Sequence, residues 1–203
     1  MSRLLIVTAL MPEAVPLINF YRMKKQPKQT FYHLFQTVPA GRGKVPNIHL
    51  LVCGVGAEKM YQGLEAYLNT VDQCERTLYL NFGIAGTLNE PHGKLLWANS
   101  IAGSAISLPE DVRNLPFSVQ SLDAPGKNYQ PAVLFDMEAE AWLKCIAENT
   151  QQFTPDALFC AKVVSDNQSE NAHKIDKHWV INIVHKNIVE LDYFIIKLIK
   201  TFK

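Results

Sequence analysis

Acidic side chains stand at the ends of three apolar runs, and glycine pairs follow two others. Val164-Ser165-Asp166 closes one such run, a position whose burial would suit a carboxyl that donates a proton. Phe135-Asp136-Met137-Glu138-Ala139 follows the run Ala132 to Phe135 and opens a helical pattern. Acids at a helix start are ordinarily caps, which suits Asp136 and leaves Glu138 for chemistry. Thr8 to Ala14 follows the run Leu4-Leu5-Ile6-Val7, with Pro12 suited to a first helical turn and Glu13 in that turn. Glu13 there either complements the helix dipole or serves a site. Cys53-Gly54-Val55-Gly56 is either a plain tight turn or a backbone approach to a ligand, and it lacks the third glycine of a dinucleotide fingerprint. Asn81 to Leu88 is read as a loop in which Gly83, Ala85 and Gly86 either pack closely or form a backbone floor for a flat ring. Paired carboxylates near such a floor could supply acid and base to a small ligand.

These residues need elements that bring strand ends together. Leu4 to Val7, Leu50 to Val52, Leu78 to Leu80 and Ala161 to Val164 lack alternation, which suits strands covered on both faces. Between them, Glu58 to Val71 and Asp136 to Asn149 carry apolar residues at helical spacing. Trp179 to Phe202 repeats the pattern as one long helix or two, covering a sheet face. Leu108 to Pro131, rich in Pro, Asn, Asp, Gly and Ser, reads as loop. The expectation is a three-layer α/β fold with a central mixed, mostly parallel sheet flanked by helices, residues 1–203 forming one domain. In such sheets ligands bind at the carboxyl ends of strands, so the stretches could converge on one pocket.

Composition narrows the partners. The 203 residues, 48% of them apolar, can bury one substantial core. Twenty Lys and Arg against nineteen Asp and Glu give no broad positive field, so no nucleic-acid partner is expected. Charges and prolines interrupt every apolar run, so no membrane span is expected, and the short run after Met1 reads as a strand rather than a signal core. Cys53, Cys74, Cys145 and Cys160 lie far apart without zinc-type spacing. Reduced, mostly buried thiols in a cytoplasmic protein are the expectation, and the Asn167-Gln168-Ser169 sequon is then a chance match.

Read in order, the stretches resemble the purine nucleoside phosphorylase and nucleosidase superfamily, and most closely its methylthioadenosine/S-adenosylhomocysteine nucleosidase branch. Ile6 to Val15 looks like that branch's opening strand and acidic stretch, and Cys53 to Gly56 like its Ser-Gly-Ile-Gly turn. Asn81 to Leu88 is similar to its Asn-Thr-Gly-Ser-Ala-Gly-Gly-Leu loop, Met137-Glu138-Ala139 matches Met-Glu-Ala, and Val164-Ser165-Asp166 matches Ile-Ser-Asp.

The resemblance implies roles. Glu138 would bind ribose hydroxyls with Met137 beneath the sugar, and Asp166 would be the general acid toward the leaving purine. Glu13 would orient or deprotonate water; aligning the shared Met instead sets Ala14 opposite the branch's base, whereas aligning Leu10 restores Glu13. Gly83, Ala85, Gly86 and Ser165 would complete the substrate-binding set. Breaking a glycosidic bond builds positive charge on the sugar and negative charge on the base, which paired carboxyl groups relieve without metal or cofactor. A homodimer or larger assembly is implied as well.

There are departures. Lys162 stands where the branch has Arg, Ile84 replaces the loop Ser, and no Gly-Asp-Pro-x-Arg phosphate loop is present. The chain is shorter between Gly103 and Asp136, where Ser121 to Pro125 is the remnant of base-contacting sequence. The readings are therefore a nucleosidase acting on a purine nucleoside-like small molecule, futalosine-like and hopanoid-linked adenosine compounds included, a phosphorylase, or a non-catalytic binding protein of that fold.

Overall fold

The described residues of the computed structural model are 3–38, 46–71, 76–112, 117–124, 129–150, 154–167 and 175–201. The strands are β1 Arg3–Thr8, β2 Lys24–Lys25, β3 His33–Gln36, β4 Ile48–Val52, β5 Thr77–Thr87, β6 Leu95–Ile101, β7 Ser104–Ala105, β8 Phe117–Ser121, β9 Val133–Asp136 and β10 Leu158–Asn167. The helices are α1 Met11–Phe20, α2 Ala57–Leu68, α3 Ala139–Asn149, α4 Lys177–Lys186 and α5 Ile188–Thr201.

Alternation along β1 explains the layers. Leu4 and Ile6 join Leu17 of α1, Ile183 of α4 and Ile195 of α5 in one apolar cluster. Leu5 and Val7 face the other way, into a cluster with Leu64 and Tyr67 of α2 and Trp142 and Ile146 of α3. A sheet with apolar residues on both faces needs helices on both, and the result is helix, sheet, helix. Asp176 caps α4 by accepting the N–H groups of His178 at 2.8 Å and Trp179 at 2.9 Å. The C-terminal pattern is two helices. The Asn187 side-chain amide between them donates to the Ile183 and Gly93 carbonyls, each at 2.7 Å, and ties the break to the body of the protein.

The sheet is mixed, as expected: its long central ladders, β1 with β4 and β5 and β5 with β10, are parallel, and the antiparallel ladders are shorter. β1 lies between β4 and β5, and β5 pairs onward with both β10 and β9. The path β10, β6, β8, β9 returns to β5 and closes a small barrel-like ring at that side of the sheet. Its closing bridge is Gly86 to Phe135.

Three expectations change. Asn81 to Thr87 is not loop but the second half of β5, held on both sides by ladder bonds. The stretch from Leu108 to Pro131 contains β8, where Phe117 and Val119 are buried between β6 and β9; residues 113–116 and 125–128 lie outside the described set. α3 begins at Ala139, so Asp136, Met137 and Glu138 form the turn that enters it. Cys53, Cys145 and Cys160 are buried free thiols, and Cys74 lies outside the described residues. Among the described residues no helix is long and apolar enough to cross a membrane.

Candidate active site

The parallel strands β1, β5 and β10 deliver their carboxyl ends to one side, and a cavity of about 260 Å³ opens there. Glu13, Glu138 and Asp166 all line it. Met137, Ala85, Gly86 and Ser165 line it as well, whereas Gly83 sits behind Glu13 rather than on the wall.

Glu13 is positioned by the first turn of α1. Its Oε2 accepts the Ala9 N–H at 3.1 Å and the Leu10 N–H at 2.8 Å, the structural duty expected of an acid in that turn. Its Oε1 reaches across to accept the Ile84 N–H of β5 at 3.0 Å. Burial pushes the carboxyl up to about 7, against the opposing pull of the Leu10 N–H, the Lys162 ammonium and the Ile84 N–H. Of the two residues that the registers offered, Ala14 is fully buried in the apolar cluster beneath α1 and Glu13 lines the cavity.

Glu138 enters from the turn before α3. The paired-glycine turn after β4, with Gly54 and Gly56 at positive φ, presents the Gly56 N–H to Glu138 Oε1 at 2.7 Å. The turn therefore holds a carboxylate of the protein itself. Burial raises the Glu138 carboxyl above its ordinary value, with Gly56 and Lys162 pulling it down and the Asp136 charge adding to the rise.

Asp166 is aimed by a bulge. The β10 to β5 register slips between Val164 and Asp166, leaving Ser165 as the extra residue and turning the acid toward the cavity. Asp166 Oδ1 accepts the Ser165 hydroxyl at 2.5 Å, and Oδ2 accepts the Tyr129 hydroxyl.

Behind these acids lies a buried ion pair. Lys162 Nζ meets Asp136 Oδ2 at 2.7 Å with both side chains almost fully enclosed. Burial, the largest single influence, would lower the ammonium, but the Asp136 charge, with Cys160, the Asp136 hydrogen bond and Glu138 behind it, together hold Lys162 above its ordinary value. Asp136 also accepts the Ala139 N–H at 3.0 Å and the Ser121 hydroxyl at 2.6 Å, so it is a cap, as expected, and an ion-pair partner besides.

No family model matches the chain, and no curated protein does. Solved structures do. An MTA/SAH nucleosidase superposes with a TM-score of 0.69 at 17% identity, over 98% of this chain and 96% of that one. The 5'-methylthioadenosine nucleosidase of Arabidopsis thaliana gives 0.69 at 14% identity, over 100% and 96%. A futalosine hydrolase mutant of Helicobacter pylori gives 0.68 at 12%, over 96% and 99%. This chain has the MTA/SAH nucleosidase fold.

Within that nucleosidase fold, sequence reasoning named Lys162 only as a departure from Arg, without its partner, and missed Tyr129. Lys162 was visible as the one charge in a continuous apolar strand, and such a charge requires a partner. Tyr129 carried no local signal, since a tyrosine in a Pro- and Gly-rich stretch is ordinary. Leu122 and Ala124, from the stretch Ser121 to Pro125, line the cavity. Pro125 lies outside the described residues.

Gly83 has a steric duty in this nucleosidase fold. A Cβ there would fall 2.8 Å from Glu13 Oε1 and 3.2 Å from its carboxyl carbon. Three backbone donors hold that carboxylate and prevent it from yielding. Gly83→Ala is expected to cost about 1–3 kcal/mol, read as a lowered melting temperature. An unchanged melt would show that Glu13 can move.

Proposed function

We propose that this protein hydrolyses the N-glycosidic bond of a purine nucleoside-like small molecule of the methylthioadenosine or S-adenosylhomocysteine type. The observation that carries the reading is the convergence of Glu13, Glu138 and Asp166 on one cavity. Asp166 donates a proton to the ring nitrogen of the leaving base. Glu13, anchored through Oε2, orients water and takes its proton at Oε1. Glu138, fixed by Gly56, receives the ribose hydroxyls above Met137. Proton transfer at both ends of the breaking bond is what a charge-separated glycosidic transition state requires.

Water rather than phosphate is the nucleophile in this reading. Four acids line the cavity, Asp136 among them, and the nearby cation Lys162 is committed to Asp136, so an anionic co-substrate would meet like charge. The deciding experiment is a panel of purine nucleosides assayed for free base with and without phosphate. Release that requires phosphate would replace hydrolysis by phosphorolysis, and no release from any nucleoside would remove the enzymatic reading.

The Glu13 carboxyl makes a prediction in pH. As the base it must be ionised, so kcat/KM is expected to rise with pH through about 7, and Glu13→Gln should abolish that limb. Stability moves the opposite way. An acid held at about 7 in the folded protein, against an ordinary value of 4.5, binds its proton more tightly when folded. The folded state therefore loses stability as pH rises from 4.5 toward about 7, by on the order of 3 kcal/mol. Melting curves of the wild type and Glu13→Gln should diverge across that window and run parallel above it. Parallel curves throughout would contradict the assignment.

A homodimer or larger assembly belongs to the same reading. Val55, on the cavity wall, and Met11, beside Leu10, are exposed apolar side chains that a neighbour would cover. Light scattering at micromolar concentration should report a dimer or more, and a monomer would remove this part.

A further inference from the structure

Asp166 is already occupied by the protein's own donors. Ser165 satisfies Oδ1, and the Tyr129 hydroxyl satisfies Oδ2 from inside the cavity that both residues line. The Tyr129 ring lies against Phe135, with centroids 5.7 Å apart and planes tilted by 52°. Its edge also passes so close to Gly86 that a Cβ there would meet Tyr129 Cε1 at 2.7 Å and Asp166 Oδ2 at 2.8 Å. Gly86 thus leaves room for a flat ring whose rim donor reaches the acid.

A phenol and a purine present the same features to such a place: a planar π face and a hydrogen-bond donor in the plane at the rim. Resting on the reading of this cavity as a purine nucleoside site, we propose that Tyr129 occupies the leaving-base subsite of the unliganded protein and that a purine ring enters by displacing it from Asp166 and Phe135. Tyr129 is only partly buried and belongs to neither apolar cluster of the core, so its departure leaves the fold intact. The consequence is a competition inside one chain. The apparent affinity for a purine is the intrinsic affinity reduced by the fraction of molecules whose subsite is open. Rings without a rim donor cannot repay the hydrogen bond that Tyr129 gives up, so Tyr129 also selects among ligands.

The test is calorimetric titration of adenine into the wild type, Tyr129→Phe and Tyr129→Ala, each first shown by circular dichroism and melting to be folded. A second titration puts p-cresol, the side chain of Tyr129 as a free molecule, into the same proteins. The expected result is adenine affinity rising from wild type through Phe to Ala, by about tenfold or more overall. The Ala variant should also bind p-cresol, and adenine should displace it. Adenine affinity unchanged or weakened in both variants would overturn the proposal and make Tyr129 a ligand contact or a bystander, while leaving the nucleosidase reading in place. Binding of p-cresol to the Ala variant with no binding of adenine to any of the three proteins would overturn both.

Discussion

Asp166→Asn is expected to lower base release by roughly 100- to 10,000-fold while ligand affinity changes far less. The substitution preserves shape and an acceptor oxygen for the Ser165 or Tyr129 hydroxyl, so the local bonds at the β10 bulge need not collapse. What it removes is the transferable proton, needed only as the glycosidic bond breaks. An interaction used in the transition state and not in the ground state appears in kcat rather than in binding. If Asp166 merely satisfied hydroxyl donors at a strand end, the same variant would lose about 1 kcal/mol of stability and keep its turnover. Base release, binding and melting temperature measured on one preparation separate the outcomes, and undiminished release would dismiss the acid role.

The largest effect on stability is expected from Lys162→Met. Methionine fills much the same volume but strands Asp136, almost fully enclosed, without its cation. Breaking a buried pair by removing one partner costs about 3–5 kcal/mol, because the remaining charge keeps its desolvation penalty and loses its compensation. At roughly 2–4 °C per kcal/mol for a domain of this size, the melting temperature should fall by about 6–20 °C. Adding Asp136→Asn should recover part of that loss, since no charge is then left buried. Recovery will be incomplete because Asp136 also holds the start of α3 and the Ser121 hydroxyl. Lys162 pulls the Glu13 carboxyl downward as well, so in any Lys162→Met protein that remains folded the acid limb of kcat/KM should move to higher pH. A melt within a degree or two of wild type would mean that the pair is not the anchor described.

Periodicity and run length in the sequence determined the layered α/β class, because burial on two faces writes continuous apolar runs and burial on one helix face writes a stripe. The same reasoning located the acids at strand ends, since a charged residue that closes an apolar run marks where a strand leaves the core. It misjudged Asn81 to Thr87, whose glycines and small residues look like loop until β10 and β9 are seen pairing with them.

Partnership was decided by the tertiary structure. Sequence left both Glu13 and Ala14 open, and the rotation of α1 on the sheet buries Ala14 and turns Glu13 to the cavity. Lys162 meets Asp136 across 26 positions of chain, and Tyr129 meets Asp166 across 37. Local pattern specifies which face a residue takes. Which residue stands opposite depends on sheet order, on the register slip at Ser165 and on the closure of β9 onto β5 at Gly86, and each arises from pairings between strands remote in sequence.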